Sequence, residues 1–560
     1  MSFTCFLKLI DILWIFITFH MLYRRSCTDL SKSQTSKMLL QLCLVSMLVC
    51  SSGFKVLVMN TTPGRSHAIL MDAVVRHLSQ AGHQITYITG CPETISQQNV
   101  SIIDISENNK FISGNVLNIR AILDKKIDMT NLKFLLDLLL EVARTAISNS
   151  AVQKLLSDTN QHFDVIIAEW MYTELPAGIS AIYGCPMVWL SSVHPHWMIL
   201  KLIDEAPNPA YNADAISRNV IPFKFYERLV ELCYQGYALL LQKLYYYAKE
   251  EQYYKDLLVP FISKRNRIAP SINDIRYNAS LILGNSHVTM ENPMRLPQNY
   301  KHIGGFHIDG RVKDLPENIK SIMDNSRHGV IYFSLGSNLK SKELPAEIKD
   351  GLLRVFGGLK ETVLWKYEDD LLNRPDNVHV LQWAPQNSIL AHPKCILFIT
   401  HGGLLSTTEA IHFGVPIIGI PVFADQFINV KKAVKGGFAI LVDMSYTMVS
   451  ELEKAIQEMI SNSTYMEKVK ELSVIYHDRL VPPGAELVHW VEHVVKTRGA
   501  HHLRSPALHL PLYQKLYLDL LAVIFVLFIL SLYVIRCIYL VGLYFLHKKH
   551  DDFNIKLKSM

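Results

Sequence analysis

The stretch from Phe398 to Gln426 holds the densest grouping of residues able to do chemistry. An apolar run, ILFIT, leads into His401-Gly402-Gly403, and helical spacing begins directly afterwards. Glycines at a strand-to-helix turn let backbone N–H groups approach a ligand. The unpaired N–H groups and positive end of the new helix favour a phosphate there. Ser406 falls in the first turn, where its hydroxyl adds a hydrogen bond, and Glu409 is placed to accept from a ribose hydroxyl. Alone, this pattern reads equally as a tight turn with Ser406 and Glu409 as a capping box. Further on, Pro416 opens a strand, and Asp425-Gln426 stands at its carboxyl end. An adjacent carboxylate and amide suit neighbouring sugar hydroxyls, with a helix cap as the alternative. Upstream, Trp383-Ala384-Pro385-Gln386 offers an aromatic face for a flat base, or a core tryptophan.

A second candidate lies far away in sequence. His67 follows the apolar run KVLVMN and the turn Pro63-Gly64-Arg65-Ser66, so it sits at the carboxyl end of the first strand. A neutral imidazole there takes the proton of an acceptor hydroxyl as that oxygen attacks an electrophilic carbon. A lone histidine is otherwise a surface or core residue.

Together with FSLGS ending at Ser337, WAPQ at Trp383 to Gln386, and WVEHVVKTRGAHHLRSPA near the C-terminus, Phe398 to Gln426 resembles a known signature. It is that of the UDP-glycosyltransferases, the membrane-bound animal family that glycosylates lipophilic compounds, and similar features run through most of residues 54–550. The resemblance implies a GT-B fold of two Rossmann-like domains, with the donor held mainly by the C-terminal one. It implies that Trp383 stacks on uracil and that Gln386 and Glu409 hold ribose. His401, Ser406 and Ser337 then approach the pyrophosphate beside Gly403, and Asp425 and Gln426 approach the sugar.

The same resemblance makes His67 the catalytic base. The family pairs it with an Asp in a segment like FDVIIAD. Here Phe163 to Trp170 reads FDVIIAEW, so Glu169 takes that place with one extra methylene. Asp164 is the fallback, at what should be the wrong end of the strand. A carboxylate there fixes the imidazole tautomer and stabilises the imidazolium as it forms. Attack opposite UDP implies inversion, from an α-linked donor to a β-glycoside. The sequence contains no D-x-D motif, in keeping with metal-independent transfer in which protein dipoles support departing UDP. No cofactor is implied; the UDP-sugar is a co-substrate. Glucose is favoured over glucuronate because members outside the vertebrates commonly use it, although no residue here decides.

Positioning these residues requires two α/β halves. In the first, strand candidates run over Lys55–Asn60, Gln84–Ile88, Asp164–Ala168 and Pro186–Leu190, with a helix over Ala68–Gln80. In the second they run over Val330–Leu335, Thr362–Trp365, Val378–Leu381, Ile396–Thr400 and Pro416–Ile420, with a helix over Pro345–Gly357. Short apolar strands alternating with helices imply parallel sheets covered on both faces. Two doubly wound domains would face a cleft at the strands' carboxyl ends. The expected division is an apolar region over 1–53, an acceptor domain over 54–295, a linker over 296–305, a donor domain with a returning helix over 306–515, a span region over 516–546 and a tail over 547–560. Residues near Glu174–Trp197 and Lys201–Tyr254, including Tyr245-Tyr246-Tyr247, should shape the acceptor side. They line a pocket, dock against a membrane surface, or are core.

The ends point to a membrane. Met38–Cys50 is a short apolar run followed by Ser51, Ser52 and Gly53, which reads as a signal-peptide core. The upstream stretch Leu9–Tyr23 fits either translation starting later, at Met21, or a signal anchor. Leu520–Ile535 and Ile538–Leu546, interrupted by Arg536, exceed the ~20 residues needed to span a bilayer, with a buried core helix as the alternative. Lys548 and Lys549 after them put the tail in the cytosol and the body in the lumen, a single-pass type I arrangement. Lys556 and Lys558 resemble a KxKxx retrieval signal for the endoplasmic reticulum. Sequons occur at Asn60, Asn99, Asn278 and Asn462; Asn60 closes a strand beside the candidate base, which speaks against its use.

Composition excludes several classes. At 560 residues the chain suits two large domains plus extras. A net charge of +6 without basic–aromatic interleaving makes nucleic acid a poor partner. Only Cys91, Cys185, Cys233 and Cys395 fall in the body, without metal-ligand spacing and too few for a disulfide framework. Self-association stays open. A non-catalytic carrier of apolar ligands predicts loss of His67 or Asp425-Gln426, and both are present. A nicotinamide oxidoreductase needs G-x-G-x-x-G after the first strand, which is absent.

Overall fold

The structure, a computed structural model, describes residues 53–111, 119–124, 131–289, 293–308 and 312–558. The apolar stretches read as a signal region lie outside them. Residues through Arg504 form one unit and those from Ser505 another.

The first unit contains two parallel sheets. Seven strands, β1 (Lys55–Met59), β2 (Gln84–Thr89), β3 (Val100–Asp104), β4 (Val165–Glu169), β5 (Met187–Ser191), β6 (Leu281–Gly284) and β7 (Tyr300–His302), are ordered β3-β2-β1-β4-β5-β6-β7. Six more, β8 (Val330–Ser334), β9 (Thr362–Lys366), β10 (Val378–Leu381), β11 (Cys395–Thr400), β12 (Ile417–Gly419) and β13 (Ala439–Leu441), are ordered β10-β9-β8-β11-β12-β13. Both sheets are doubly wound. Their strand order reverses between β1 and β4 and between β8 and β11, and crevices at such points are where ligands bind.

Strand alternation explains the continuous apolar runs. Val56 and Val58 of β1 pack with helix α1 (Arg65–Gln80), whereas Leu57 and Met59 pack with helix α2 (Leu132–Ser148). Both faces are covered, so polar alternation has no place, and each buried side chain contributes about 1.5–3 kcal/mol. The same parity aims Glu169. Val165 and Ile167 of β4 face the α1 layer, and Glu169, two residues on, continues that face.

Residues 296–305, expected as a linker, instead supply β7, whose Ile282↔Tyr300 register extends the first sheet. Tyr300 is buried there, so the segment is held by packing as well as by chain connection. A late helix (Pro483–Lys496) returns to the first sheet and buries Leu487, Val491 and Val494 against the α1 layer. Cys91, Cys185, Cys233 and Cys395 are free thiols. In the second unit one long continuous helix runs Leu518–Lys558, through the residues expected to form a separate tail. Its segment Leu518–His550 is long and apolar enough to cross a membrane and none of it is buried.

Candidate active site

His67 is the third residue of α1, just past the carboxyl end of β1, and Glu169 ends the adjacent strand β4. His67 Nδ1 lies 2.5 Å from Glu169 Oε1. The Glu169 side chain is fully buried, while the imidazole keeps 20% of its surface exposed. Burial works to lower the His67 pKa. The Glu169 carboxylate, by charge and hydrogen bond, and Asp425, by charge, outweigh it and raise the value above the ordinary 6.5. With Nδ1–H donated to Glu169, Nε2 carries the lone pair and is the atom left for an acceptor proton. Glu169 Oε2 is buried without a partner. The fallback residue is removed from contention: Asp164 Oδ2 accepts from the Lys55 backbone N–H at 2.7 Å, at the opposite end of the strands.

At the second reversal, Ser337 follows β8 and His401 follows β11. The His401 ring is sandwiched between two glycines: a Cβ on Gly336 or on Gly403 would lie 2.6 Å from it. Gly336 also has φ +85°, which a side chain would strain. Burial, with some help from the Lys366 charge, pushes His401 down to about 4, so it is neutral at neutral pH. It offers one N–H donor without a positive charge. Helix α3 (Leu404–Phe413) starts from Gly403 with no side-chain cap, so its first N–H groups remain open and the capping-box alternative is not realised.

The residues expected at ribose meet. Gln386 Nε2 donates to Glu409 and, at 3.2 Å, to Ser406 Oγ, and its Oε1 accepts from Tyr332 O–H at 3.3 Å. Ser406 therefore stands with the ribose pair as well as at the helix start. Trp383 is 53% exposed and is not core; the Arg65 guanidinium lies 4.7 Å over its ring. Asp425 makes no helix-cap bond to the helix it precedes (α4, Gln426–Lys435) but accepts from Asn429 Nδ2 at 2.8 Å. Asn429 Nδ2 also reaches Gly402 O at 3.2 Å, tying Asp425 to the glycine turn. Burial raises the Asp425 pKa; the Asn429 hydrogen bond and the His194 and His67 charges oppose it. Gln426 is partly committed elsewhere. Its Oε1 accepts from the Val422 and Phe423 backbone N–H groups at 2.8 and 3.1 Å, which leaves only its Nε2 for a sugar.

Several participants went unread in the sequence. A Cβ on Gly64 would lie 2.8 Å from His67 Cδ2 and 3.5 Å from Asn338 Nδ2, so the loop after β8 closes on the turn that precedes His67. His307 Nε2 lies 3.4 Å from Glu409 Oε1. Lys366, a buried cation at the carboxyl end of β9, bonds Glu368 at 2.7 Å and sits 5.8 Å over Trp383. Its position closing an apolar strand was the available signal; Asn338, His307 and Arg65 had none, since packing alone brings them in.

In the region expected to shape the acceptor side, Trp170, Tyr172 and His196 form a ring cluster that begins next to Glu169, with centroids 5.0–6.0 Å apart. Burial pushes His196 down to about 3, and neither of its ring nitrogens has a hydrogen-bond partner. The Tyr245-Tyr246-Tyr247 run disperses. Tyr246 is core and donates to Tyr172 O at 2.9 Å, and Tyr245 is bonded to Lys133 at 3.2 Å. Tyr247 lies 3.7 Å from Arg276, which is itself buried between Glu174 and Glu250. Among the described residues no group of three His, Cys, Asp or Glu could hold a metal ion.

Comparison with known proteins gives the family and the fold. A family model described as UDP-glucoronosyl and UDP-glucosyl transferase matches residues 54–551. UDP-glucosyltransferase 2 of Dactylopius coccus is 30% identical over 503 residues, covering 89% of this chain and 95% of that one. UDP-glucuronosyltransferase 2B7 of Homo sapiens is 29% identical, covering 70% of this chain and 72% of that one. Among solved structures, the glycosyltransferase of kitacinnamycin superposes with a TM-score of 0.54 at 18% identity, covering 79% of this chain and 99% of its own. CalG4, the calicheamicin glycosyltransferase, also superposes at 0.54, with 15% identity and coverage of 79% and 98%. The architecture is GT-B, and the chain belongs to the UDP-glucuronosyl and UDP-glucosyl transferase family of animals, enzymes that transfer a sugar from a UDP-sugar to an acceptor.

Proposed function

We propose that this chain transfers a hexosyl group, glucose foremost, from a UDP-sugar to a hydroxyl of a small lipophilic acceptor with inversion. The observation that carries the reading is the His67–Glu169 contact at one strand-order reversal, in the electrostatic field of Asp425 from the other domain. His67 Nε2 takes the acceptor's O–H proton as the oxygen bonds to the anomeric carbon and the carbon–oxygen bond to UDP breaks. Glu169 stabilises the imidazolium that results. The open N–H groups at the start of α3, with His401 and Ser337, take up the charge growing on the leaving pyrophosphate. Trp383 stacks on the base, Gln386 and Glu409 hold the ribose, and Asp425 with Gln426 Nε2 reads the sugar hydroxyls. Preorganised dipoles suffice in this scheme without a metal.

Glucose is supported by the relative matched over 95% of its length, which is named a glucosyltransferase. A lipophilic acceptor is supported by the Trp170–Tyr172–His196 rings beside the base. The helix at Leu518–Lys558 we read as a single membrane span. With the Lys548–Lys549 pair and the C-terminal lysines, it supports a lumenal body in the endoplasmic reticulum.

The test is a panel of UDP-glucose, UDP-glucuronate and UDP-N-acetylglucosamine against phenols and steroids, with the full chain in membranes. The expected outcome is β-glucoside formed from UDP-glucose. Transfer from UDP-glucuronate alone reassigns the donor, and absence of any UDP affinity removes the reading altogether.

A further inference from the structure

The chain leaves the first sheet through residues 303–308, and both domains grip that crossing. On the first domain's side, His77 Nε2, in the last turn of α1, donates to Phe306 O at 2.8 Å. The Gly304 N–H donates to Ser286 O at 3.0 Å, just past β6. On the other side stands the helix Thr464–His477, whose Val469 and Tyr476 pack with strands β11 and β12. Tyr476 O–H and Arg479 Nη2 both donate to Gly304 O, at 3.2 and 2.6 Å. Gly305 has φ +91°, and a Cβ there would run into the Tyr476 hydroxyl. A segment held from both sides presents its side chains at fixed positions.

His307 extends from this segment to α3. Its side chain is fully buried, and Nε2 lies 3.4 Å from Glu409 Oε1. Neither ring nitrogen has a hydrogen-bond partner among the described residues. Leaving a buried donor and acceptor unmade is costly, so an imidazole kept in that state calls for an explanation beyond packing. Glu409 offers one. Its other oxygen, Oε2, accepts from Gln386 Nε2, so the carboxylate is flanked on both sides.

We infer that His307 is a positioning residue for the donor, holding the Glu409 carboxylate in the plane that meets the two ribose hydroxyls. An ionised carboxylate accepts at about four sites. Gln386 takes one on Oε2 and His307 stands at one on Oε1, which leaves one site on each oxygen for the 2′ and 3′ hydroxyls. A small turn of either side chain brings the Nε2–H and Oε1 into hydrogen-bond range. The diol, by fixing the carboxylate, favours that turn. The inference rests on Glu409 holding the ribose, as proposed above.

The test measures binding of UDP and of 2′,3′-dideoxy-UDP to the full chain in nanodiscs by calorimetry. The parent should prefer UDP by roughly a hundredfold, because the analogue forfeits hydrogen bonds to a charged acceptor. His307→Leu keeps the bulk and removes the donor. Its preference should fall to about tenfold, wholly through weaker UDP binding. His307→Gln sets an amide N–H near the place of Nε2 and should restore the preference to within about threefold of the parent. Equal weakening of both ligands in His307→Leu, or a Gln variant no better than Leu, overturns the inference and makes His307 a packing residue. A preference undiminished in His307→Leu also overturns it and leaves Glu409 with the ribose. A parent that binds both ligands alike overturns the ribose reading of Glu409, and the inference with it.

Discussion

The two strand-order reversals use one scaffold to treat a histidine in opposite ways. At the first, His67 has a buried carboxylate 2.5 Å away and its pKa is raised. At the second, His401 has two glycines against its ring and a cation in its field, and its pKa is pushed down to about 4. Burial lowers both. What differs is the charged group a nearby strand end supplies: Glu169 from β4, which pairs with β1, in one case, and Lys366 from β9, two strands away from β11, in the other. A proton acceptor whose cation must be tolerated needs the first setting. A neutral donor beside a diphosphate, which must not trade its proton, needs the second. The topology supplies a crevice, and the charges at nearby strand ends set which way the pKa of its histidine moves.

The sharpest way to break this division is to remove the base. His67→Ala should lower the transfer rate by roughly a thousandfold. Its affinity for UDP, measured by calorimetry, should stay as in the parent. Loss of UDP binding in that variant would mean that the two crevices are not functionally separate.

Glu169→Gln should cost roughly a hundredfold in rate, because the imidazolium loses its carboxylate. The pH profile of kcat/KM gives a second readout. The neutral imidazole is the active form, so the parent's acid limb lies above the ordinary histidine value. Without Glu169, burial acts with only the Asp425 charge to offset it, and the limb moves to lower pH. Stability moves in the matching sense. The raised pKa stabilises the fold in full below about 6.5, and that contribution is lost as pH rises through the folded value. The variant should lack this pH dependence. An acid limb that does not move would detach Glu169 from His67.

The donor side breaks separately. Gly336→Ala places a Cβ 2.6 Å from the His401 ring at a φ of +85°. Displacing that loop should weaken UDP binding about tenfold, in line with ~1–3 kcal/mol of local strain. The acid limb set by His67 should not move.

How far the sequence already held this contrast varies by element. The strands flanking both reversals are legible because each centres on a short apolar run rich in β-branched or aromatic residues: KVLVM, VIIAE, VIYFS and CILFIT all lie within a residue of where their runs place them. Strands β3, β6, β7 and β13 are not among the runs the sequence picks out: β3 mixes Ser101 and Asp104 into its apolar residues, and β7 falls in the Pro- and Gly-containing segment expected as a linker. The paired role of Glu169 came through resemblance, although strand parity also dictates its direction. The helix at Phe225–Leu241 lies in the Lys201–Tyr254 stretch, for which the sequence leaves pocket, membrane surface and core open, and which of its sides turns inward is not legible there. That depends on Glu231 and Gln242 finding partners elsewhere in the chain. Contacts such as His307 with Glu409 and Arg65 with Trp383 depend on how separate elements pack, and no local pattern encodes them.

The smallest expected effect concerns the contact that joins the two crevices. Arg65 starts the helix that carries His67, and its guanidinium lies 4.7 Å over the face of Trp383, the proposed seat of uracil. If the base uses that face, the cation must first leave it. At a half-exposed site such a contact is worth about 0.5–1 kcal/mol. Arg65→Ala should therefore tighten UDP binding about two- to fivefold, because nothing need be displaced. Lys366, 5.8 Å from the same ring, remains in the variant and keeps a cation near the base. Unchanged or weaker affinity would place uracil on the opposite face of Trp383. Arg65 would then only join the domains, and the crevice proposed for the base would be independent of the helix that carries His67.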